Sequence, residues 1–367
     1  MAILFDGELQ YLRNLANDPF LWKAAADRKK KRKQRYKNSG DSVCDSLAET
    51  LFRSTIDETK LNVLISQFDN KNTKEKAQAL NIAVYSDQIR TGAFDQLSRK
   101  PVDGRIYHPI VQIKSEARCI FEIGSKRYLG TLDLRACHPT FFGIYIVAIF
   151  ANGIKQDSKT FEALQKCSDC NRLFTSIDSH ILGNSLSNTF HFSRFQSSIT
   201  STTNNYLQYL SGFVPRLLEE YNNWNALWTN PDIDPREQIA GDIGYRRVSL
   251  AKKSINSAIN GGKNRAADWI HKNYPNLATI WKCTDIKRTG TNISRMFETR
   301  IILNQTVIDD AARQNLILVP EHDGYGIFAN PDDAEIEIKA KTVEAAIQKN
   351  CLKDFGLKPV LKFKRIN

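Results

Sequence analysis

The sequence lacks both a long apolar stretch and an apolar N-terminus. Its 367 residues contain no run approaching the roughly 20 consecutive apolar residues of a membrane-spanning helix. The segment from Met1 to Asp6 reaches an acidic side chain at once and has no apolar core of a secretory signal peptide. We therefore expect a soluble, cytoplasmic protein that does not associate with a membrane.

The cysteines form no disulfide framework. There are seven, an odd number at irregular spacings, which is typical of a reducing compartment. Cys167 and Cys170 are separated by two residues, and with His180 and His191 they could make a zinc site. Because the spacing fits no zinc motif well, we predict a redox pair or ordinary helix cysteines instead.

Acidic side chains are too few to balance the basic ones. Lys and Arg number 52 against 40 Asp and Glu, so the formal net charge is +12. This excess favours a polyanionic partner, nucleic acid first and an anionic membrane second. Eight of the ten residues from Arg28 to Lys37 are basic, and such a run stays in solvent. It could follow the phosphates of a nucleic acid, or it could be a solvated helix face or a targeting signal.

The spacing of apolar residues predicts an α+β protein without internal repeats. Residues 1–100 have a polar, helical pattern. Further helices are predicted for Tyr245 to Asn260, Ile293 to Gln314 and Asp333 to Asp354. Strands are predicted for Arg118 to Ile123, Arg127 to Leu134, Leu316 to Val319, Tyr325 to Ala329 and Pro359 to Arg365.

Two carboxylates follow apolar strands. Asp133 comes at the end of Tyr128 to Leu132, and Asp323 lies in a turn after Leu316 to Val319. A carboxylate at the tip of a buried strand is held rigidly, and two such tips side by side can bridge two Mg²⁺ ions about 3.5 to 4 Å apart. Mg²⁺ favours one or two carboxylates completed by substrate phosphates. The pair therefore predicts a magnesium site.

The helix predicted from Tyr245 to Asn260 has a basic face. Arg247 and Lys252 are five residues apart, near one side of that helix. Such a face can neutralise a triphosphate and the charge that develops on leaving pyrophosphate. Arginine supplies a fixed fork of donors, and lysine supplies a movable charge or a proton.

Four short segments therefore follow each other along the chain. Asp103-Gly104-Arg105 precedes Tyr107-His108, and Leu132-Asp133-Leu134 comes next. The third segment contains Arg246, Arg247, Lys252 and, eight residues after this lysine, Asn260-Gly261. His322-Asp323 is the last. Their order resembles the motifs of the family A DNA polymerases and of the related single-subunit phage RNA polymerases.

The resemblance covers residues 103–367 and implies a right-hand polymerase fold, with an antiparallel palm sheet, helical fingers and a helical, thumb-like N-terminal region. The implied segments are 1–100 for the thumb or template grip, 101–150 for the first part of the palm, 151–290 for the fingers and 291–367 for the second part of the palm. No segment remains for a proofreading exonuclease domain.

By this resemblance the protein extends a nucleic-acid strand, with DNA-dependent DNA synthesis as the first expectation. Asp133 and Asp323 would hold two Mg²⁺ ions, for which Mn²⁺ could substitute, and Lys252 would protonate the pyrophosphate. Nucleoside triphosphates would be bound by Arg246, Arg247, Lys253, Asn256, Asn260, Gly261, His138 and His322. Template and primer would be bound by Arg105, Tyr107, His108 and Arg118.

The sequence departs from the family at two positions that select the sugar. The DNA polymerases have a glutamate five residues after the first catalytic aspartate, and this chain has His138 there. A tyrosine of the family is replaced by Asn260. An RNA-synthesising primase or RNA polymerase therefore stays open. Paired carboxylates would also suit a metal-dependent nuclease, and the basic charge would also suit a non-enzymatic nucleic-acid-binding protein.

Some residues have ordinary structural interpretations as well. Arg118 could be a surface arginine, and His322 a packed turn histidine. Trp269, Tyr274 and Trp281 could stack on bases, but we predict a buried aromatic cluster. Glu298 could approach the metals, but we predict an exposed helix residue.

Overall fold

The computed structural model describes residues 18–67, 73–94, 96–101, 104–165, 192–200, 206–284 and 295–366. They divide into two compact units. The first unit comprises Met1–Asp133, Thr299–Ile347 and Leu361–Asn367, and the second comprises Leu134–Glu298 and Gln348–Val360. The assignment of these parts to thumb, palm and fingers stays a prediction.

The strands and helices make a mixed α+β protein, as predicted. The strands are β1 Ser54–Ile56, β2 Phe121–Ile123, β3 Lys126–Leu134, β4 Ile317–Pro320, β5 Gly324–Ala329 and β6 Leu361–Arg365. The helices before β3 are α1 Pro19–Arg35, α2 Ser42–Arg53, α3 Glu58–Ser66, α4 Thr73–Thr91 and α5 Pro109–Gln112. The helices after β3 are α6 Cys137–Gln156, α7 Ser158–Gln165, α8 Phe192–Thr200, α9 Tyr206–Thr229, α10 Pro235–Asp242, α11 Val248–Ile259, α12 Arg265–Asn273, α13 Pro275–Lys282, α14 at 295–302, α15 Gln305–Arg313 and α16 Ile336–Phe355.

The first unit is built on a curled sheet with the strand order β1-β2-β3-β5-β4, and β6 also pairs with β3. The pairs along β1 to β5 are antiparallel. A register shift between Tyr128 and Gly130 bends β3. Side chains of α2, α3, α4 and the sheet form one apolar core, which includes Leu47, Leu51 and Phe328. The long strand β3 is thus fixed from both sides.

Aspartates begin several helices of the first unit. Asp18, Asp41 and Asp57 each accept a hydrogen bond from a backbone N–H in the first turn of α1, α2 and α3. These side chains satisfy donors that a helix start leaves free. For the described residues between 18 and 100, the predicted helical character is confirmed, while the three-residue strand β1 was not predicted.

The second unit is organised around the apolar helix α6. Trp224 of α9 packs on Phe142 and donates from Nε1 to the carbonyl oxygen of Pro139, 2.8 Å away. Helix α6 is long and apolar enough to cross a membrane, but 89% of the relevant window is buried inside the structure. A mostly buried apolar helix is also what a protein core contains, so the predicted absence of a membrane partner stays a prediction.

The C-terminal pattern agrees with the sequence. The predicted hairpin, helix and last strand correspond to β4, β5, α16 and β6. The helix predicted from Ile293 to Gln314 is wrong in one respect, because it is interrupted at residues 303–304. There the side chain of Asn304 accepts from the N–H of Thr306 and begins α15. A capping side chain thus overrides the continuous apolar stripe.

Candidate functional site: a carboxylate pair on adjoining strands

The pairing of β3 with β5 brings the two predicted metal ligands together. Asp133 lies opposite Gly324, the residue after Asp323. The backbones approach so closely that a Cβ on Gly324 would lie 2.2 Å from the carbonyl oxygen of Leu132 and 2.8 Å from Oδ1 of Asp133. Glycine is therefore required at this position, and its absence of a side chain lets the hairpin seat against the end of β3.

The anionic form of Asp133 is disfavoured at this position. Burial raises its pKa to about 6, the charge of Asp323 adds to the rise, and a hydrogen bond from Thr131 opposes it. Thr131 Oγ1 donates to Oδ2 at 2.9 Å and thereby orients the carboxylate. Asp323 is exposed at the tip of the hairpin. A half-buried acid beside a second acid is the arrangement that a bound cation would stabilise.

The hairpin that carries Asp323 is held by a buried polar network. The N–H of Glu321 donates to the carbonyl oxygen of Gly324 at 2.8 Å, which closes a two-residue loop. Glu321 accepts a hydrogen bond from Tyr128 at 2.6 Å and forms an ion pair with Arg118. Arg118 also donates to the carbonyl oxygens of Ile113 and Val111, at 2.8 and 3.3 Å, and to Tyr128 at 3.2 Å.

This network changes the interpretation of Arg118. Its side chain is buried, and its donors are directed at backbone oxygens, Tyr128 and Glu321. Arg118 was predicted to contact nucleic acid or to be a surface arginine. Because it is buried inside the first unit, both predictions are corrected. Sequence reasoning missed Glu321 and Tyr128. The sequence feature that could have indicated Glu321 is its position, because it is an acidic residue two positions before Asp323.

Tyr107 and His108 lie beside the same hairpin. Tyr107 is 38% exposed, and the centroid of its ring is 5.8 Å from that of His322. His108 is buried, and its Nε2 lies 2.8 Å from the carbonyl oxygen of Pro320, so this nitrogen donates. Burial lowers the pKa of His108 to about 4. His108 thus anchors the hairpin as a neutral imidazole, whereas Tyr107 presents its ring at the surface.

Gly104 and Arg105 form a turn on the same unit. The N–H of Gly104 donates to the carbonyl oxygen of Lys100 at 2.8 Å, and the N–H of Lys100 donates to that of Arg105 at 2.9 Å. Gly104 has φ +70° and lies against Thr299, so the turn requires glycine. Arg105 is half-buried. Asp103, the first residue of this predicted motif, lies outside the described residues.

The predicted phosphate-binding residues cluster on α11 in the second unit. Arg246 and Arg247 precede the helix and are exposed, as are Lys252 and Lys253. Lys252, Asn256 and Asn260 recur every fourth residue and therefore follow one side of the helix. Gly261, with φ +84°, ends the helix. Of the predicted set, Lys252, Lys253 and Asn256 lie within the helix. The prediction that the helix begins at Tyr245 is wrong by three residues, because it begins at Val248.

The remaining candidates divide between surface and core. His138 is half-buried in the first turn of α6. Tyr274 and Trp281 are buried, which confirms the predicted aromatic cluster, while Trp269 is half-buried and donates to Asp242 at 2.9 Å. Glu298 is fully buried, so the prediction that it is exposed is wrong. Cys167, Cys170, His180 and His191 lie outside the described residues.

Within the described ranges, no group of three or more His, Cys, Asp or Glu side chains is arranged to hold a metal ion. The carboxylate pair offers two carboxylate groups, and Mg²⁺ uses one or two carboxylates when substrate phosphates and water complete its shell. No protein-family model, characterised protein or solved structure matches this chain.

Proposed function

We propose that this protein extends a nucleic-acid strand from nucleoside triphosphates under the direction of a template, as a DNA-dependent DNA polymerase. The observation that carries the proposal is the placement of Asp133 and Asp323 at the adjoining ends of β3 and β5. The net charge of +12 supports a nucleic-acid substrate. The basic face of α11 supports a triphosphate substrate.

Asp133 and Asp323 would hold magnesium. When bound, magnesium ions supply the Lewis acidity for nucleotidyl transfer from a triphosphate to a 3′-hydroxyl. The raised pKa of Asp133 fits this assignment, because burial and the neighbouring carboxylate leave its negative charge poorly compensated. Thr131 orients one carboxylate, and the network of Glu321, Tyr128 and Arg118 holds the loop that bears the other.

The helix α11 would bind the nucleotide. Arg247 and Lys252 are exposed and can neutralise the phosphates, while Asn256 and Asn260 extend the polar stripe toward the end of the helix. Lys252 can donate a proton to the pyrophosphate as it leaves. Arg105, at the turn of the first unit, can contact a strand phosphate.

RNA synthesis is the second candidate, and two residues favour it. His138 and Asn260 occupy the positions at which DNA polymerases of family A exclude a ribose, and neither has the expected side chain. A ribonucleotide preference would make the protein a primase or a single-subunit RNA polymerase with the same carboxylate site.

Primer extension tests both candidates in one experiment. The wild-type protein is incubated with Mg²⁺, a primed DNA template and either dNTPs or rNTPs, and product length is measured. Asp323→Asn and Asp133→Asn are expected to lower the extension rate by at least about a hundredfold. A bound metal contributes several kcal/mol, and about 1.4 kcal/mol corresponds to tenfold.

Asp332→Asn is the matched control. Asp332 is also an exposed turn aspartate of the first unit, so its variant is expected to extend normally. Shortening of the primer without nucleotides would point to a nuclease. Absence of extension on DNA and RNA templates, with and without primer, alongside retained binding, would leave a nucleic-acid-binding protein.

A further inference from the structure

The basic run from Arg28 to Lys37 divides into anchoring and exposed residues. Lys29 donates to the carbonyl oxygen of Ser54, and burial lowers its pKa to about 8. Arg32 donates to the carbonyl oxygen of Thr91 at 3.1 Å. These contacts fix α1 on the first unit, so the C-terminal turn of the helix is held in one place.

The end of the run borders a cavity that combines charge with aromatic rings. The cavity has a volume of about 530 Å³, and its walls include Arg32, Arg35, Lys37, Tyr36, Phe52 and Phe94. The three rings pack together, with Phe52 and Phe94 centroids 4.7 Å apart. Over the described part of the chain, no carboxylate is paired with Arg35 or Lys37. Both side chains are exposed to solvent.

A second cavity adjoins the first and shares part of its wall. It also has a volume of about 530 Å³, and it shares Ala93, Phe94 and Gln96 with the first cavity. Its other wall includes Lys100, Tyr107 and His108. Tyr107 is the residue whose ring approaches His322, next to Asp323. The two cavities thus form a track on the first unit, from the basic end of α1 to the hairpin of the carboxylate site.

We propose that this track binds single-stranded nucleic acid. Arg35 and Lys37 neutralise phosphates, and the exposed ring of Tyr107 stacks on an unpaired base. Basic grooves with aromatic platforms bind single strands in this way, since the bases of a duplex are already stacked on each other. The inference that the track guides the strand that is copied or extended rests on the proposed function. The inference that the track binds single-stranded nucleic acid does not.

The test is fluorescence anisotropy with labelled oligothymidylate and oligouridylate in EDTA without nucleotides, so that neither metal nor catalysis is needed. Arg35→Glu is expected to weaken binding by about tenfold or more. Lys30→Glu is the matched control, because Lys30 is an exposed residue of the same helix outside the cavity wall and its variant changes the net charge equally. It is expected to bind within about twofold of wild type.

Tyr107 provides the second readout. Tyr107→Ala is expected to weaken binding about fivefold or more, and Tyr107→Phe to restore it, because stacking needs the ring and not the hydroxyl. Comparison of the two oligonucleotides identifies the preferred sugar. Tighter binding of a blunt duplex, equal losses in Arg35→Glu and Lys30→Glu, or unchanged binding in Tyr107→Ala would each overturn the track.

The outcomes separate the two proposals. Binding that depends on Arg35 and Tyr107 in a protein that never extends a primer would retain the track and reject the polymerase. The opposite outcome is also distinguishable. If the wild type extends a primer, and Arg35→Glu and Tyr107→Ala change neither extension nor oligonucleotide binding, the polymerase proposal is retained and the track is rejected.

Discussion

At the scale of single residues, the ion pair between Arg118 and Glu321 determines how firmly the Asp323 loop is held. Both side chains are buried, and Glu321 also accepts from Tyr128. A buried charge is tolerated only while its partner and hydrogen bonds are present. The pair thus acts on the site by positioning the loop rather than by touching a substrate.

Removal of one partner of the ion pair is expected to lower the free energy of unfolding more than removal of both partners. Arg118→Met leaves Glu321 without its cation and should lower the free energy of unfolding by about 3 to 5 kcal/mol. The double variant Arg118→Met, Glu321→Met should be less destabilised than Arg118→Met. Urea unfolding of the wild type, both single variants and the double variant measures this. Additive losses would show that the two charges do not stabilise each other.

His108 makes the hairpin anchor sensitive to pH. Its folded pKa is lowered to about 4 from 6.5, so the unfolded chain takes up the proton first as the pH falls. The contribution to stability is complete above pH 6.5 and is lost between pH 6.5 and about 4, by up to about 3 kcal/mol.

The variant His108→Gln isolates this effect. The glutamine amide can still donate to Pro320, but it does not titrate. Urea unfolding at several pH values should show a steeper loss of stability on acidification for wild type than for the variant. The carboxylates are the same in both proteins, so their titration cancels in the difference. Parallel pH profiles would contradict the assignment.

At the scale of elements, the close approach of β5 to β3 is what creates the carboxylate pair. Gly324→Ala is expected to cost about 3 kcal/mol and to separate the two aspartates, because its Cβ would meet the backbone of β3 at 2.2 Å. Gly124→Ala is the control. Gly124 has φ +63° but open space around it, so only about 1 kcal/mol is expected.

Thermal or urea unfolding gives the two free energies, and primer extension gives the activity. Gly324→Ala should lose extension even at temperatures where it is folded, whereas Gly124→Ala should retain it. Equal stability and equal activity of the two variants would show that the strand ends tolerate a wider separation.

The local sequence pattern predicted the individual strands and turns of the site better than it predicted which strands pair with each other. The strand-like segments of β3 and β5, the alternation in β6 and the turn at Glu321 to Gly324 were visible in the sequence, because apolar patterning and turn chemistry are local properties. The pairing of β6 with β3 and the three-residue strand β1 depend on distant residues, so no local signal predicts them. The burial of Glu298 and Arg118 was missed for the same reason, since charged residues usually remain exposed.

At the scale of the whole molecule, the two units carry different parts of the proposed chemistry, so their variants should fail in different ways. Lys252→Ala in the second unit is expected to raise the KM for nucleotide or lower kcat at least about tenfold, because a charge that meets phosphate is lost. Its affinity for oligonucleotide should not change. Lys253→Ala is the comparison variant, because Lys253 is the adjacent exposed lysine and also a predicted nucleotide contact. A smaller defect is expected for it, since Lys253 lies off the stripe of Asn256 and Asn260. Steady-state extension kinetics and anisotropy, measured on the same preparations, separate the two defects. A larger defect in Lys253→Ala would assign the nucleotide contact to Lys253, and no defect in either variant would reject nucleotide binding by α11.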